Sequence, residues 1–463
     1  MSAKEFNPAE SSRRIDKWKF CSTAIAANTT WMMVSSFLTI YYTNCVSLST
    51  IFVGNMMLIC RIFDGFSDII AGSLIEKTHT RWGKVRPWFV ISAVPMIISF
   101  VLMFSVPSGS TLSREIYAVV TYILFTVVFY TLNNISYQAL LPRFSPTSAD
   151  RSSISSMKTV FTYIAILGVN MSTTVMLGMF GGMSAQTAWT KVIVIFAIIS
   201  LVSMLPTFFI KETVGMEDQT KDNGEDGKAN TVPLSVSIKA LLKSKYFYIC
   251  LMLFFTYYIT NGTSSAGIYF ATYVVGNANA YSLISLASML PSILVMPFVP
   301  KVFKKFGKRN SMIYGLVLSG ISCAAMLINP QNITLYLILS IFKSVGTLPM
   351  VAAMFTLAGD VVDYNEMKTG VRTEGLTTSA NGIGQKLGTG LGSALLGWLL
   401  AFGKFDSTLS VQPDSAVNAI IVIVIGLPIV IYIVAIILLR FWDLEKYQAD
   451  ILAFRKNRRQ AKA

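Results

Sequence analysis

Ile62-Phe63-Asp64-Gly65-Phe66-Ser67-Asp68-Ile69-Ile70 sets two carboxylates inside an apolar run long enough to cross a bilayer. A carboxylate near the middle of a membrane helix costs roughly 2.5–3.5 kcal/mol on insertion scales. Residues that persist there face the bundle interior or a cavity and mark ion or substrate paths. Arg61 stands just before the run. At about 100° per residue, Arg61, Asp64 and Asp68 (i, i+3, i+7) point within a roughly 60° arc. One arginine balances one carboxylate, and the second then needs a proton or a metal cation. The competing reading is an Arg61–Asp64 pair that only holds helices together, beside a permanently protonated Asp68. A leftover buried acid makes a poor scaffold, because an unbalanced charge costs more than an apolar contact.

Outward from this run the chain reads as an all-α membrane protein. It has 463 residues, 53% hydrophobic and 13% charged, with a mean hydropathy of +0.59; a soluble domain carries about 25% charged residues. A span needs about 20 apolar residues. Twelve stretches qualify: 20–42, 50–75, 88–107, 116–140, 154–178, 189–210, 247–273, 281–302, 311–329, 333–357, 375–402 and 417–440. The net charge of +15 raises nucleic acid as a partner, but its distribution excludes it. Lys77, Arg81, Lys84 and Arg86 lie between stretches 2 and 3. Lys301, Lys304, Lys305, Lys308 and Arg309 lie between stretches 8 and 9. Both tails are basic, while the alternate loops hold little beyond Arg114 and Lys404. This positive-inside pattern puts both termini in the cytoplasm of a cell (plasma or inner) membrane, with anionic membrane lipid as the partner of the basic loops. The five cysteines show no CxxC spacing, and the single histidine, His79, sits in a basic loop. No metal cluster, structural disulfide or Ser/His or Cys/His catalytic set follows, so the chain does not read as an enzyme. No cleavable leader is expected either, since the first apolar run is too long and follows a polar tail.

The stretches divide six and six around a polar segment. The expected organisation is a tail (1–19), a six-helix bundle (20–210), a cytoplasmic linker (211–245), a second six-helix bundle (246–441) and a basic tail (442–463). The linker's centre, 217–228, has almost no apolar content and cannot build a core. The halves echo each other: Arg81-Trp82-Gly83-Lys84-Val85-Arg86-Pro87 follows stretch 2, and Lys305-Phe306-Gly307-Lys308-Arg309-Asn310 follows stretch 8. An aromatic-Gly-Lys-basic turn at equivalent places in two halves is what a duplicated transporter shows.

Arg61-Ile62-Phe63-Asp64 through Asp68, then Arg81-Trp82-Gly83-Lys84 and Pro87-Trp88, resemble the signature of the glycoside–pentoside–hexuronide:cation symporter family of the major facilitator superfamily. Asp360-Val361-Val362-Asp363-Tyr364-Asn365-Glu366-Met367-Lys368-Thr369-Gly370, Arg372-Thr373-Glu374-Gly375, Ser379-Ala380-Asn381 and Lys386-Leu387-Gly388 extend the resemblance in order over nearly the whole chain. It implies the major facilitator fold, with twelve transmembrane helices, alternating access, and uptake of a sugar or glycoside driven by a monovalent cation, with no other cofactor.

Resemblance to the melibiose carriers of that family places the cation between Asp64 and Asp68, aided by Thr131 on helix 4. Hard cations take oxygen ligands, and two carboxylates one turn apart supply them. Family members that use Na⁺ well often carry asparagine where this chain has Ser67, a shorter and weaker ligand. Two close carboxylates also hold a proton between them, because like charges disfavour full ionisation. Na⁺ and H⁺ both stay open as the coupling ion.

Helix 4 presents Tyr130, Thr131, Asn134, Tyr137 and Gln138 on one stripe, the donor–acceptor mixture that sugar hydroxyls need; plain interhelical hydrogen bonding is the competing reading. Helix 1 adds Asn28 and Trp31. By the resemblance, Asn28 and Asn134 stand where melibiose carriers have sugar-binding aspartates, and Gln138 stands where they have a stacking tryptophan, so the cargo is not expected to be melibiose. Lys386 matches the family's intramembrane lysine and Lys158 approximates its arginine; Lys343 is a further charge within helix 10 that the resemblance does not explain. Cations without opposing acids point to an anionic glycoside such as a hexuronide. Gly384, Gly388 and Gly392 recur at four-residue spacing, which lets helices approach closely. Arg143, Arg151, Asp360, Asp363, Arg372 and Glu374 are expected to pair across the two bundles and latch the outward-open state, or else to be solvated loop charge. Two other functions stay in view: a lysolipid or other amphiphile symporter on the same fold, which the polar helix 4 stripe opposes, and a non-transporting sugar sensor, which the presence of both helix 2 aspartates opposes.

Overall fold

The computed structural model describes residues 14–78, 80, 82–145, 148–210, 212, 243–369, 374–409, 411–447 and 450. Most of the expected linker, most of both outer tails (1–13, 448–449 and 451–463), His79, Arg81 and Arg372 lie outside them.

The described residues form twelve long helices: α1 (14–45), α2 (Thr50–Lys77), α3 (Arg86–Met103), α4 (111–144), α5 (Ser148–Phe180), α6 (186–209), α7 (245–274, broken by a turn at 263–265), α8 (280–306), α9 (Lys308–Met326), α10 (Ile333–Thr369), α11 (Glu374–Phe402) and α12 (414–440). Among the described residues there is no β-strand, only an isolated bridge between Thr80 and Gly83. Helices are the outcome physics favours for apolar runs of this length, since each peptide group must be satisfied within its own segment when no water is at hand. Seven of them (α3, α4, α5, α6, α8, α10 and α12) are long and apolar enough to cross a membrane on composition alone. The others are diluted: α2 by Arg61, Asp64 and Asp68, α11 by its glycines, α1 and α9 by basic first turns, and α7 by its break.

The chain divides into two compact units, Met1–Ala229 and Asn230–Ala463. In the first, α1 packs on α5 and α6, α3 on α4 and α6, and α2 on α4. In the second, α7 packs on α11 and α12, α9 on α10 and α12, and α8 on α10. The α7–α11 contact depends on glycine. A Cβ at Gly262 would run into the Thr389 carbonyl, and one at Gly392 into the Ile259 carbonyl. The four-residue glycine spacing therefore serves close packing.

Several helices outrun their apolar stretches. α10 continues to Thr369, twelve residues past the expected end at 357, and α5 begins at Ser148, six before 154. Asp360 and Asp363 thus ride on a helix and not on a loop. Hydropathy ends where apolar surroundings end, while backbone hydrogen bonding continues past that point.

Candidate cation and sugar site

Helix α2 turns Arg61 and Asp64 inward. Arg61 and Asp64 are each 7% exposed, whereas Ile62, Phe63, Phe66 and Ile70 are 44–62% exposed. Arg61 Nη1 lies 3.6 Å from Asp64 Oδ2, a long ion pair. Thr131, from α4, donates its hydroxyl to Asp64 Oδ1 at 2.8 Å. The carboxylate is therefore gripped from two helices, and its helix-4 partner is the one expected from sequence. The Thr131 hydroxyl also lies 3.0 Å from the Thr126 carbonyl, five residues back. That reach exists because α4 is wound as a π-helix over Ile123–Tyr130, and π segments recur at functional sites. Ser67 donates to the Asp64 carbonyl at 2.9 Å, so its hydrogen is committed to its own helix while its oxygen stays an acceptor. Asp68, one turn on, is half-buried and in contact with its surroundings; Cβ atoms at this spacing stand roughly 5–6 Å apart. Among the described residues no three or more His, Cys, Asp and Glu side chains converge to hold a metal ion. A metal cation at this place would draw on carboxylates plus hydroxyl and carbonyl oxygens, which suits a hard monovalent ion.

Beside the carboxylate sits an aromatic stack. The Arg61 guanidinium carbon lies 4.4 Å from the centre of the Trp31 ring. Trp31 stacks on Tyr130 at 5.2 Å and 23°. Both rings are half-buried, and the Tyr130 hydroxyl reaches the Ala27 carbonyl at 3.5 Å.

The helix 4 stripe does not act as one surface. Tyr137 is 1% exposed, donates to the Phe20 carbonyl at 2.9 Å and stacks on Phe20 at 4.4 Å, so it ties α4 to α1. Lys158 sets its ammonium 4.8 Å from the Tyr137 ring centre. Asn28 donates to the Ala24 carbonyl at 2.7 Å and to Thr162 at 3.1 Å, bridging α1 and α5. Asn134 is half-buried and Gln138 exposed. Lys386 belongs to the second unit, on α11, and is half-buried there with partners of its own. Lys343 lies on α10 where that helix crosses α9, and its carbonyl accepts from Ser319 at 2.8 Å.

The profile of the family described as MFS/sugar transport protein matches residues 19–446. The chain belongs to that family. The chain is 31% identical to the isoprimeverose transporter of Lactiplantibacillus pentosus over 450 residues, 95% of this chain and 90% of the relative. It is 27% identical to the inner membrane symporter YicJ of Escherichia coli (strain K12), over 89% of this chain and 88% of that one. Among solved structures it resembles the nucleoside transporter NupG with a TM-score of 0.61 at 15% identity, covering 93% of this chain and all of that one. That likeness shows the major facilitator fold alone. The chain is accordingly a multi-pass membrane transporter and not an enzyme.

Of the residues expected to latch the two halves, Arg143 and Asp360 each have a partner within their own unit. Arg143 lies 3.5 Å from Glu212. Asp360 pairs with Lys308 at 2.6 Å. Asp363 is buried on α10 and Arg151 half-buried in the first turn of α5. Arg372, and the side chain of Glu374, lie outside the described residues.

Three partners escaped the sequence reading. Glu212, just past α6, accepts from the backbone amides of Lys84 (3.2 Å), Val85 (2.8 Å) and Arg86 (2.8 Å) at the start of α3. In the second half Glu445 accepts from the Arg309 amide at 2.8 Å, at the start of α9. Gly83 and Gly307 both hold positive φ there (108° and 79°), which only glycine adopts freely. The repeated Gly-Lys-basic turn is visible in sequence; the acid that caps it comes from beyond the last helix of its half, over a hundred residues away, which no local spacing reveals. Asn133, beside the expected Asn134, is buried and donates to Phe89 and Ser92 on α3.

Proposed function

We propose that this protein imports a sugar or glycoside across the cell membrane by cation-coupled symport and alternating access, with both termini cytoplasmic. The observation that carries the reading is the buried Asp64 carboxylate, held by Arg61 and Thr131 on a helix whose outer face is apolar. A charged cluster of this cost is retained where an ion visits it. Asp64, Asp68, Ser67 and Thr131 form the cation site in this reading. Asn28, Trp31, Tyr130, Asn134, Gln138, Lys158 and Lys386 serve the sugar, with Tyr137 supporting them from the α1–α4 contact. The symporter name of the inner membrane relative and the sugar name of the other relative support the same assignment. One charge moving down 100 mV releases about 2.3 kcal/mol, enough for roughly fiftyfold accumulation.

The test is uptake into vesicles under imposed Na⁺ or pH gradients, with cargo ranging from isoprimeverose to a glucuronide. Accumulation above equilibrium under one gradient, and not without it, is the expected result. Uptake that only equilibrates under every gradient overturns the coupling. The charge of the cargo is read from the same panel: preference for the glucuronide assigns Lys158 and Lys386 to an anionic group, and preference for the uncharged disaccharide removes that role.

A further inference from the structure

Pro297 and Pro300 near the end of α8 each withhold an amide donor. The helix tightens to a 3₁₀ turn at Met296–Phe298 and then resumes over Val299–Phe306. That last piece has two faces. Val299 is buried and Phe303 half-buried, while Lys301, Lys304 and Lys305 are exposed within little more than one turn. None of the three pairs with an acid among the described residues. The acids that meet the adjoining residues are taken, Asp360 by Lys308 and Glu445 by the Arg309 amide. Two of the ammonium groups rest on rings instead: Lys301 lies 5.2 Å from the Phe298 ring centre, and Lys305 5.2 Å from that of Phe306. Phe306 stands edge-on to Tyr314 of α9, their centres 5.9 Å apart. These three rings are 44–58% exposed and, in a membrane transporter, their outer faces meet lipid. A ring face attracts a cation, so the charges are drawn to the lipid side of the helix end. The first half is built differently. The same distances before its turn glycine hold Lys77, Thr80 and Arg81, but α2 has already ended at Lys77. In the second half the helix runs on to the residue before Gly307 and gathers its lysines on one turn.

We propose that this end of α8 binds an anionic phospholipid, with the headgroup phosphate on Lys301, Lys304 and Lys305 and the acyl chains against Phe298, Phe306 and Tyr314. The charges complement each other: three unpaired cations face a phosphodiester, whose oxygens accept from all of them. A zwitterionic lipid is a poorer occupant, because its own ammonium would have to sit among three lysines. The rings supply the apolar part at the depth where aromatic side chains meet the membrane interface, and the lysine stems lie along the same surface. With both termini in the cytoplasm, this end of α8 lies at the inner leaflet, which carries the negative surface potential. The proposal is independent of the cargo and of the coupling ion.

The measurement is retention of phosphatidylglycerol against phosphatidylcholine of the same chain length, read by native mass spectrometry of the full chain released from mixed detergent micelles. One lysine near an anionic surface is worth about fivefold, so the wild type is expected to prefer phosphatidylglycerol by about a hundredfold. The variant carrying Lys301→Gln, Lys304→Gln and Lys305→Gln should lose that preference. A second variant, carrying Arg14→Gln, Lys77→Gln and Lys446→Gln, loses the same charge from scattered exposed positions and should keep it. Lys301→Gln alone should lower the preference to about twentyfold, and it decides the matter where the clustered variant does not fold. A wild type without preference overturns the proposal. So does an equal loss in the two triple variants, which would reduce the effect to net charge, and so does an unchanged preference in Lys301→Gln. Release of phosphatidylglycerol by excess inorganic phosphate would mean that the lysines take a soluble phosphate, and it overturns the lipid as occupant.

Discussion

Thr131 donates to Asp64 from a different helix, at 2.8 Å, so the carboxylate that α2 carries is completed by α4. A hydrogen bond to a charged acceptor contributes about 1.5–3 kcal/mol. Thr131→Val keeps the shape and removes the donor together with the oxygen proposed to face the ion. Cation affinity, followed by Na⁺ or Li⁺ titration of the purified protein, should fall about tenfold or more, and Thr131→Ser should restore most of it. Equal affinities in the valine variant and the wild type would detach Thr131 from the ion.

Asp68→Asn removes the second carboxylate while leaving the Arg61–Asp64 pair in place. Gradient-driven accumulation should be abolished. Sugar binding without an added cation should change far less than accumulation does, because Asp68 belongs to the proposed cation site and not to the proposed sugar contacts. Normal accumulation by this variant in energised vesicles would remove Asp68 from the ion path.

The twelve helices were legible because apolar stretches of span length repeat along the chain, and Asp64 with Arg61 was legible because charges inside such a stretch are rare. The single-face arithmetic on helix 4 was not a sound guide. Its assumption of 3.6 residues per turn holds over Thr131–Phe144, which is α-helical, but it takes no account of which neighbour each residue meets. Thr131 reaches α2, Tyr130 and Tyr137 reach α1, and Asn133, off the stripe, reaches α3. The Trp31–Arg61 contact joins residues thirty positions apart. Only packing brings them together, and no spacing rule contains it.

Glycine at the α7–α11 contact gives a stability prediction. A methyl at Gly262 or Gly392 meets backbone atoms that cannot swing away, and overpacking of this kind costs about 1–3 kcal/mol. Gly262→Ala and Gly392→Ala should each lower the melting temperature of the purified protein. Gly72→Ala is the control: nothing lies within 4 Å of its Cβ, and alanine is the better helix former by about 1 kcal/mol. If all three variants melt alike, the close approach of α7 and α11 is not what the glycines secure.

Glu212 and Glu445 offer a comparison inside one molecule. Both sit after the last helix of their half, and both cap a helix that follows a Gly-Lys turn. A carboxylate at a helix N-terminus is stabilised by the amides and the dipole together. Glu212 collects three amides and Arg143; Glu445 collects the Arg309 amide, with the Gly307 Cα hydrogen facing it. Replacing Glu212 by alanine strands buried amides at the start of α3 and should cost about 2 kcal/mol or more, whereas Glu445→Ala should cost about half as much. Thermal unfolding of the two variants under one condition reads the difference directly. A larger loss for Glu445→Ala would mean that the number of amides each acid gathers does not set its weight, and that the two turns, alike in sequence, are stabilised by different means.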